Sequence, residues 1–183
     1  MRRKLIAKLK EAAPGSRERA LYEEFETTKR TAEASSIFSR VPADDGGRFP
    51  LTGRGDVNTY ALFAELFATL ASRRGRAGVI IPTGIATDDT TKAFFGGITA
   101  HQKLVSLWSM YEIRQWFAGT DDRKAFCLFT MGSTFEPAQF AFNIKTLDEL
   151  HHPDKIFELT PQQITLINPN THTAPVFRSR ADA

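Results

Sequence analysis

An α/β layered sheet is the fold class this sequence predicts, and three observations predict it. Residues 78–82, 103–108 and 125–130 are continuous apolar runs of strand length. Segments with apolar residues three or four apart lie before and between them. The order helix, strand, helix, strand, strand places helices over a sheet. With 42% hydrophobic and 25% charged residues in 183, the chain has enough apolar material to build a core and is not a disordered segment.

Residues 1–40 are rich in helix formers. Leu5, Ile6 and Leu9 recur at helical spacing, Pro14-Gly15-Ser16 interrupts, and Leu21, Tyr22 and Phe25 mark a second helix. The apolar stripe is thin, so a helical pair lying over something larger is expected. Residues 41–55, with Pro42, Gly46-Gly47, Pro50 and Gly53-Arg54-Gly55, read as a loop. Asp56 is the expected N-cap of a strongly amphipathic helix carrying Tyr60, Phe63, Leu66, Phe67 and Leu70. Ser72-Arg73-Arg74-Gly75 supplies its cationic last turn and its glycine stop.

Gly78-Val79-Ile80-Ile81-Pro82 reads as a strand buried on both faces. Thr87, with Asp88 and Asp89 behind it, opens a helix that ends near Gly96-Gly97. Two further strands follow at 103–108 and 125–130. Residues 138–144 suit one more strand, and 146–150 and 161–167 suit short helices.

Net charge is +3, and its distribution says more than its size: residues 1–50 hold eleven Lys/Arg against eight Asp/Glu, whereas residues 51–183 hold thirteen of each. A basic arm can meet phosphate, but a mixed-sign helical segment is better read as a solvated face. No apolar run approaches the roughly 18 residues that span a bilayer, and Lys8 and Lys10 interrupt the N-terminal apolar stretch before a signal-peptide core can form. No membrane partner and a cytoplasmic location are expected. The single cysteine, Cys127, excludes an internal disulfide and agrees with a reducing compartment.

No self-contained active site shows itself. His101, His151, His152 and His172 stand at no metal-ligand spacing with Cys127 or a carboxylate, so no metal site is expected. A Gly-x-Ser-x-Gly elbow and a phosphate loop are both absent. Cys127, between Phe126 and Leu128, has the setting of an inert buried thiol. Asp88-Asp89 and Asp121-Asp122 are tempting as acid–base pairs, yet adjacent carboxylates point apart. The first pair reads as helix-dipole partners and the second as a turn before a strand.

Several stretches, in order, resemble the large adenine-N6 DNA methyltransferases of the amino-methyltransferase class, including the methylase halves of fused restriction–modification enzymes. Leu51-Thr52-Gly53-Arg54-Gly55-Asp56-Val57-Asn58-Thr59-Tyr60-Ala61-Leu62-Phe63 is similar to the family's helix after the catalytic strand, beside the donor's adenine. Gly75-Arg76-Ala77-Gly78-Val79-Ile80-Ile81-Pro82-Thr83-Gly84-Ile85 is similar to its fifth strand and the turn bordering the target-base pocket. Leu104-Val105-Ser106-Leu107-Trp108 and Lys124-Ala125-Phe126-Cys127-Leu128-Phe129-Thr130 resemble its last two strands. The tail from Ile164 to Arg180 resembles the lead into its target-recognition region.

This resemblance implies a partial Rossmann-like methyltransferase sheet with an antiparallel final strand, preceded by a helical segment. The run at 125–130 should lie antiparallel between the other two. Residues 1–47 would be a helical insertion-like segment, 48–135 the carboxyl-side half of the methyltransferase domain, and 136–183 a connection toward a missing target-recognition region. S-adenosylmethionine would be the cofactor, with Tyr60 and Phe63 beside it. Arg54, Thr83 and Gly84 would border the DNA and the flipped base. Double-stranded DNA and the missing amino-terminal half of the enzyme would be the partners.

The departures are equally informative. The family's donor-binding glycine turn and the acidic residue ending its second strand are not in this chain. Its catalytic tetrapeptide, Asn or Asp, Pro-Pro and an aromatic, is also missing. That motif hydrogen-bonds the adenine amino group while its aromatic stacks the flipped base. Asn168-Pro169-Asn170-Thr171 lacks the second proline and the aromatic, lies after the last sheet strand, and reads as a turn. The resemblance therefore implies a piece of a longer enzyme, with no catalytic residue of its own and no activity alone. A non-catalytic nucleic-acid-binding α/β module and a subunit of a split methyltransferase stay open as alternatives.

Overall fold

In the computed structural model, which describes residues 2–113, 116–119 and 123–183, the three apolar runs become β1 (Arg76–Pro82), β2 (Leu104–Tyr111) and β3 (Ala125–Gly132). β3 lies between β1 and β2 and runs antiparallel to both, as expected. β4 (Ala138–Ile144) pairs parallel with β2, and β5 (Phe157–Leu159) antiparallel with β4. The fold is α/β, a mixed five-stranded sheet in the order β1-β3-β2-β4-β5, of the partial Rossmann-like kind. β5 has no counterpart in the sequence reading, because three residues are too few to display an alternation.

One face of the sheet carries the helices α3 (Thr59–Leu70), α4 (Gly84–Thr87), α5 (Lys92–Ala100) and α6 (Pro161–Ile167). Ile81, Leu107, Phe129 and Phe140 join Ala64, Ile85, Phe94 and Ile164 in a single buried cluster there. The other face holds a smaller cluster of Met110, Ala141 and Ile144, flanked by Trp108, Phe126 and Leu128. Two irregularities share the residues between these faces. The ladder between β2 and β3 shifts between Leu104 and Ser106, so Leu104 and Leu107 both reach the helix side. In β4, Asn143 takes φ +59° where the pairing with β2 shifts. Phe142 therefore enters the helix-side cluster, whereas Ile144, two residues on, enters the other.

Several boundaries differ from the sequence reading. β1 is not buried on both faces: it is an edge strand whose burial alternates, and Ile80 is 58% exposed. Among the described residues it has only β3 as a sheet neighbour and is covered from the helix side alone. The N-cap of α3 is Asn58 and not Asp56, and the helix closes at Leu70, leaving Ser72 and Gly75 in a separate turn. The single helix expected from Thr87 divides into α4, a 3₁₀ turn at Asp89–Thr91 and α5. Extended Asp88 breaks it, and the Thr91 hydroxyl donates to the Gly84 carbonyl at 2.7 Å to close the break. Gly96 and Gly97 lie inside α5 and do not end it.

The helical pair forms as expected, with α1 (Arg2–Lys10) followed by α2 (Arg17–Ser39), which Ser16 caps through the Arg19 amide. Its attachment to the sheet passes through a buried carboxylate. Glu65, on α3, is 4% exposed and accepts from the Leu51 amide (3.1 Å), the Thr52 amide (2.9 Å) and the Thr52 hydroxyl (2.6 Å). Gly53 follows, packed so closely on the end of α2 that a Cβ would stand 1.8 Å from the Ser39 carbonyl oxygen. Phe38 meets Phe49 edge to face at 6.3 Å, and Arg40 donates to the Gly55 carbonyl.

Replacing Glu65 by alanine strands two buried donors and one partly buried one, and a loss of about 2–4 kcal/mol is expected from chemical denaturation. Thr52→Val, which removes a single donor, should cost about 1 kcal/mol. A Glu65→Ala chain as stable as the parent would refute the assignment.

Candidate functional site

The side chains of interest gather where β1 ends. In α/β sheets, ligands bind beyond the carboxyl ends of strands, where the backbone leaves the ladder. Thr83 stays in the ladder through its amide, which donates to the Ala125 carbonyl. Its hydroxyl lies 3.0 Å from that of Ser109 on β2, and both residues are buried. Gly84 follows with almost no space above it: a Cβ there would come within 2.3 Å of the Asp88 carboxylate, which folds back over the strand exit.

Tyr60, on the first turn of α3, completes this group. Burial pushes its phenol above the usual range, and the negative charge of Asp88 pushes the same way. Tyr60, Thr83 and Gly84 are thus brought to one end of β1. The loop carrying Arg54 and Gly55 borders them through Thr90, since a Cβ on Gly55 would lie 3.9 Å from its methyl group. Arg54 is exposed, with its Nε donating to the Pro50 carbonyl at 2.7 Å.

Phe63 is elsewhere. α3 turns Ala61, Ala64, Glu65 and Ala68 to the sheet and its large apolar side chains away from it. Phe63 (55% exposed), Phe67 (37%) and Leu70 (67%) form an outward stripe, with the two rings stacked at 6.1 Å. The amphipathic pattern was legible, but the buried stripe is the alanine one. Small residues let α3 approach β1 closely, and the aromatic stripe is left uncovered. Among the described residues the outer edge of β1 is likewise unpaired.

Ser109 and Asp88 are the site residues that sequence reasoning missed in these roles. Ser109 stands 26 positions from Thr83, a pairing that only the β1-β3-β2 order creates. Asp88 was read as a helix-dipole partner, whereas its backbone is extended and its carboxylate serves as a roof over Gly84. Asp89 pairs with Lys92 at 2.7 Å. Asp121 and Asp122 lie outside the described residues.

Cys127 is fully buried, and desolvation pushes its thiol up to about 12, so it stays protonated and unreactive. Among the described residues, no group of three His, Cys, Asp or Glu converges to hold a metal ion. Asn168-Pro169-Asn170-Thr171 forms a turn, with the Asn168 side-chain Nδ2 donating to the Thr173 carbonyl and the His172 backbone amide to the Asn168 carbonyl. A cleft of about 600 Å³ between α5 and α6, lined by Gly96, Thr99, Ile164, Leu166, Pro169 and His172, is apart from the β1 exit and is lined by no Asp, Glu, Lys or Arg.

No family model matches this chain, and no curated protein matches it. A solved structure described as "Characterization and crystal structure of the type IIG restriction endonuclease BpuSI" is similar over 51% of this chain, with 24% identity and a TM-score of 0.41. The match covers 11% of that enzyme's chain, so the protein described here spans about a tenth of its length.

Two outcomes are expected. With Tyr22 and Tyr111 changed to phenylalanine, ultraviolet titration should show Tyr60 ionising above the ordinary phenol range, and Asp88→Asn should lower that midpoint. An unchanged midpoint would remove Asp88 from the site. The parent chain should bind a hydrophobic dye, and Phe63→Ser with Phe67→Ser should abolish most of that binding without lowering the denaturation midpoint.

Proposed function

We propose that this chain is the carboxyl-side part of a site-specific DNA methyltransferase, one that transfers a methyl group from S-adenosylmethionine to adenine N6 within a restriction–modification system. The observation that carries the reading is the strand order. An antiparallel β3 between β1 and β2 is the edge arrangement that the family resemblance implies, and it occurs in the same chain as the family-like stretches. The unpaired edge of β1 and the uncovered stripe on α3 further support it. Both suit a sheet whose remaining strands and donor-binding turn come from an amino-terminal half.

In this reading, S-adenosylmethionine supplies the methyl group once bound in the completed enzyme. Tyr60 and Phe63 have aromatic surface suited to the donor's adenine, Tyr60 at the β1 exit and Phe63 on the outward face of α3. Thr83, hydrogen-bonded to Ser109, fixes the strand exit, and side-chain-free Gly84 makes room for the Asp88 carboxylate that borders the base's side of that exit. Arg54 is an exposed cation on the adjoining loop, suited to a phosphate of double-stranded DNA. The groups that would hydrogen-bond the adenine amino group are absent from this chain. Among the described residues no helix is long and apolar enough to cross a membrane.

Labelled methyl incorporation into adenine-containing duplex should stay at background for this polypeptide alone, because positioned acceptors contribute orders of magnitude in rate. Adding the family's amino-terminal half should restore it. In that complex Gly84→Ala, which displaces the Asp88 carboxylate, should lower transfer by about a hundredfold while donor binding is retained. It is a cleaner probe than a bulky change at Thr83, which is buried. Transfer by the chain alone would overturn the reading.

A further inference from the structure

We propose that α1 is a phosphate-contacting face that docks this chain on duplex DNA, separate from the β1 exit. The argument begins with how charge divides between the two helices of the arm. α2 carries four cations and five acids and pairs some of them along its own surface, with Arg19–Glu23 at 2.9 Å and Lys29–Glu33 at 3.9 Å. α1 has the sequence RRKLIAKLK, with five cations and no acid in nine residues. That excess is larger than the +3 net charge of the whole protein.

On the α1 helix, Arg3, Lys4, Lys8 and Lys10 fall on one side and Leu5, Ile6 and Leu9 on the other. Ile6 and Leu9 are half-buried and every other residue of α1 is exposed, so the contact side of α1 is its apolar one, and its neighbour is α2. Arg19 holds the pair together by donating to the Lys10 carbonyl at 2.7 Å. Among the described residues, none of the four cations forms an ion pair within the chain. Glu11, just beyond the helix end, is the one acid that continues onto this side.

Four unpaired cations held on a helix about 13 Å long suit a polyanion. Duplex DNA presents one negative charge per about 1.7 Å of axis, enough to meet all of them. A membrane surface is the competing polyanion, but an interfacial helix buries its apolar face in lipid. Here that face is turned to α2, which favours DNA. The inference extends the methyltransferase reading by adding a sequence-independent contact, and its test requires neither donor nor a second half.

The experiment is fluorescence anisotropy of the full chain with a labelled duplex oligonucleotide over a range of salt, comparing the parent with Lys4→Gln/Lys8→Gln. Glutamine keeps helix propensity and removes only charge, and circular dichroism with a thermal melt confirms an unchanged fold. The double variant should bind roughly tenfold more weakly, and the slope of log K against log salt should fall by about 1.8, or about 0.9 per cation. Lys29→Gln/Arg30→Gln on α2 should leave both readings unchanged. A parent chain that ignores duplex, a Lys4/Lys8 variant that matches it, or binding to phosphatidylserine vesicles in place of DNA would each overturn the proposal. Absence of methyl transfer in any pairing would count against the enzyme reading and leave this one standing.

Discussion

A buried carboxylate holds this molecule together. Glu65 leaves water to sit on the sheet side of α3, and a carboxylate in that position is tolerated only when donors surround it. Leu51 and Thr52 provide those donors, so the loop before α3 has one permitted path. That path brings Gly53 against the end of α2 and Gly55 beside Thr90. The helical arm, the Arg54 loop and the first turn of α3 with Tyr60 therefore share one anchor. If that anchor failed, the site and the arm would separate from the sheet together.

The second constraint is that helices cover only one face of β1. Alanines at 61, 64 and 68 let α3 lie close to the sheet, and the larger side chains of the same helix are left facing outward. The result is a packed core beside an exposed edge. Phenylalanines 140, 142 and 157 stack on one another with centroids 5.9–6.3 Å apart, and Phe177 of the tail closes on Phe157 at 5.6 Å. Around β1, by contrast, apolar side chains and backbone groups are still available. The β4–β5 side supplies the stacked aromatic packing that the edge at β1 lacks.

At the candidate site, what could be read in advance came from the family-like stretch running through Thr83 and Gly84. Which neighbours those residues would have could not be read. Ser109 reaches Thr83 because both flank the start of β3, Ser109 opposite Cys127 and Thr83 bonded to the Ala125 carbonyl, and Asp88 reaches Gly84 because the helix breaks at Asp88. Phe63 and Tyr60 share one helical pattern, yet the twist of α3 sends one to the outer stripe and the other to the strand exit.

The sequence by itself determined the fold class, the strands β1, β2 and β3, the helical arm and the inert character of Cys127. Each of these depends on local periodicity or on immediate apolar neighbours, and those survive without knowledge of distant contacts. Only the tertiary structure decided that β1 is an edge, which stripe of α3 is buried, and that Leu104 with Leu107, and Phe142 with Ile144, are sorted between faces by two ladder shifts. It also decided that charges paired along α2 are left unpaired on α1. An amphipathic pattern specifies that one face will be covered, but what covers it is set by which residues are small enough for close approach and by which polar groups demand a buried partner.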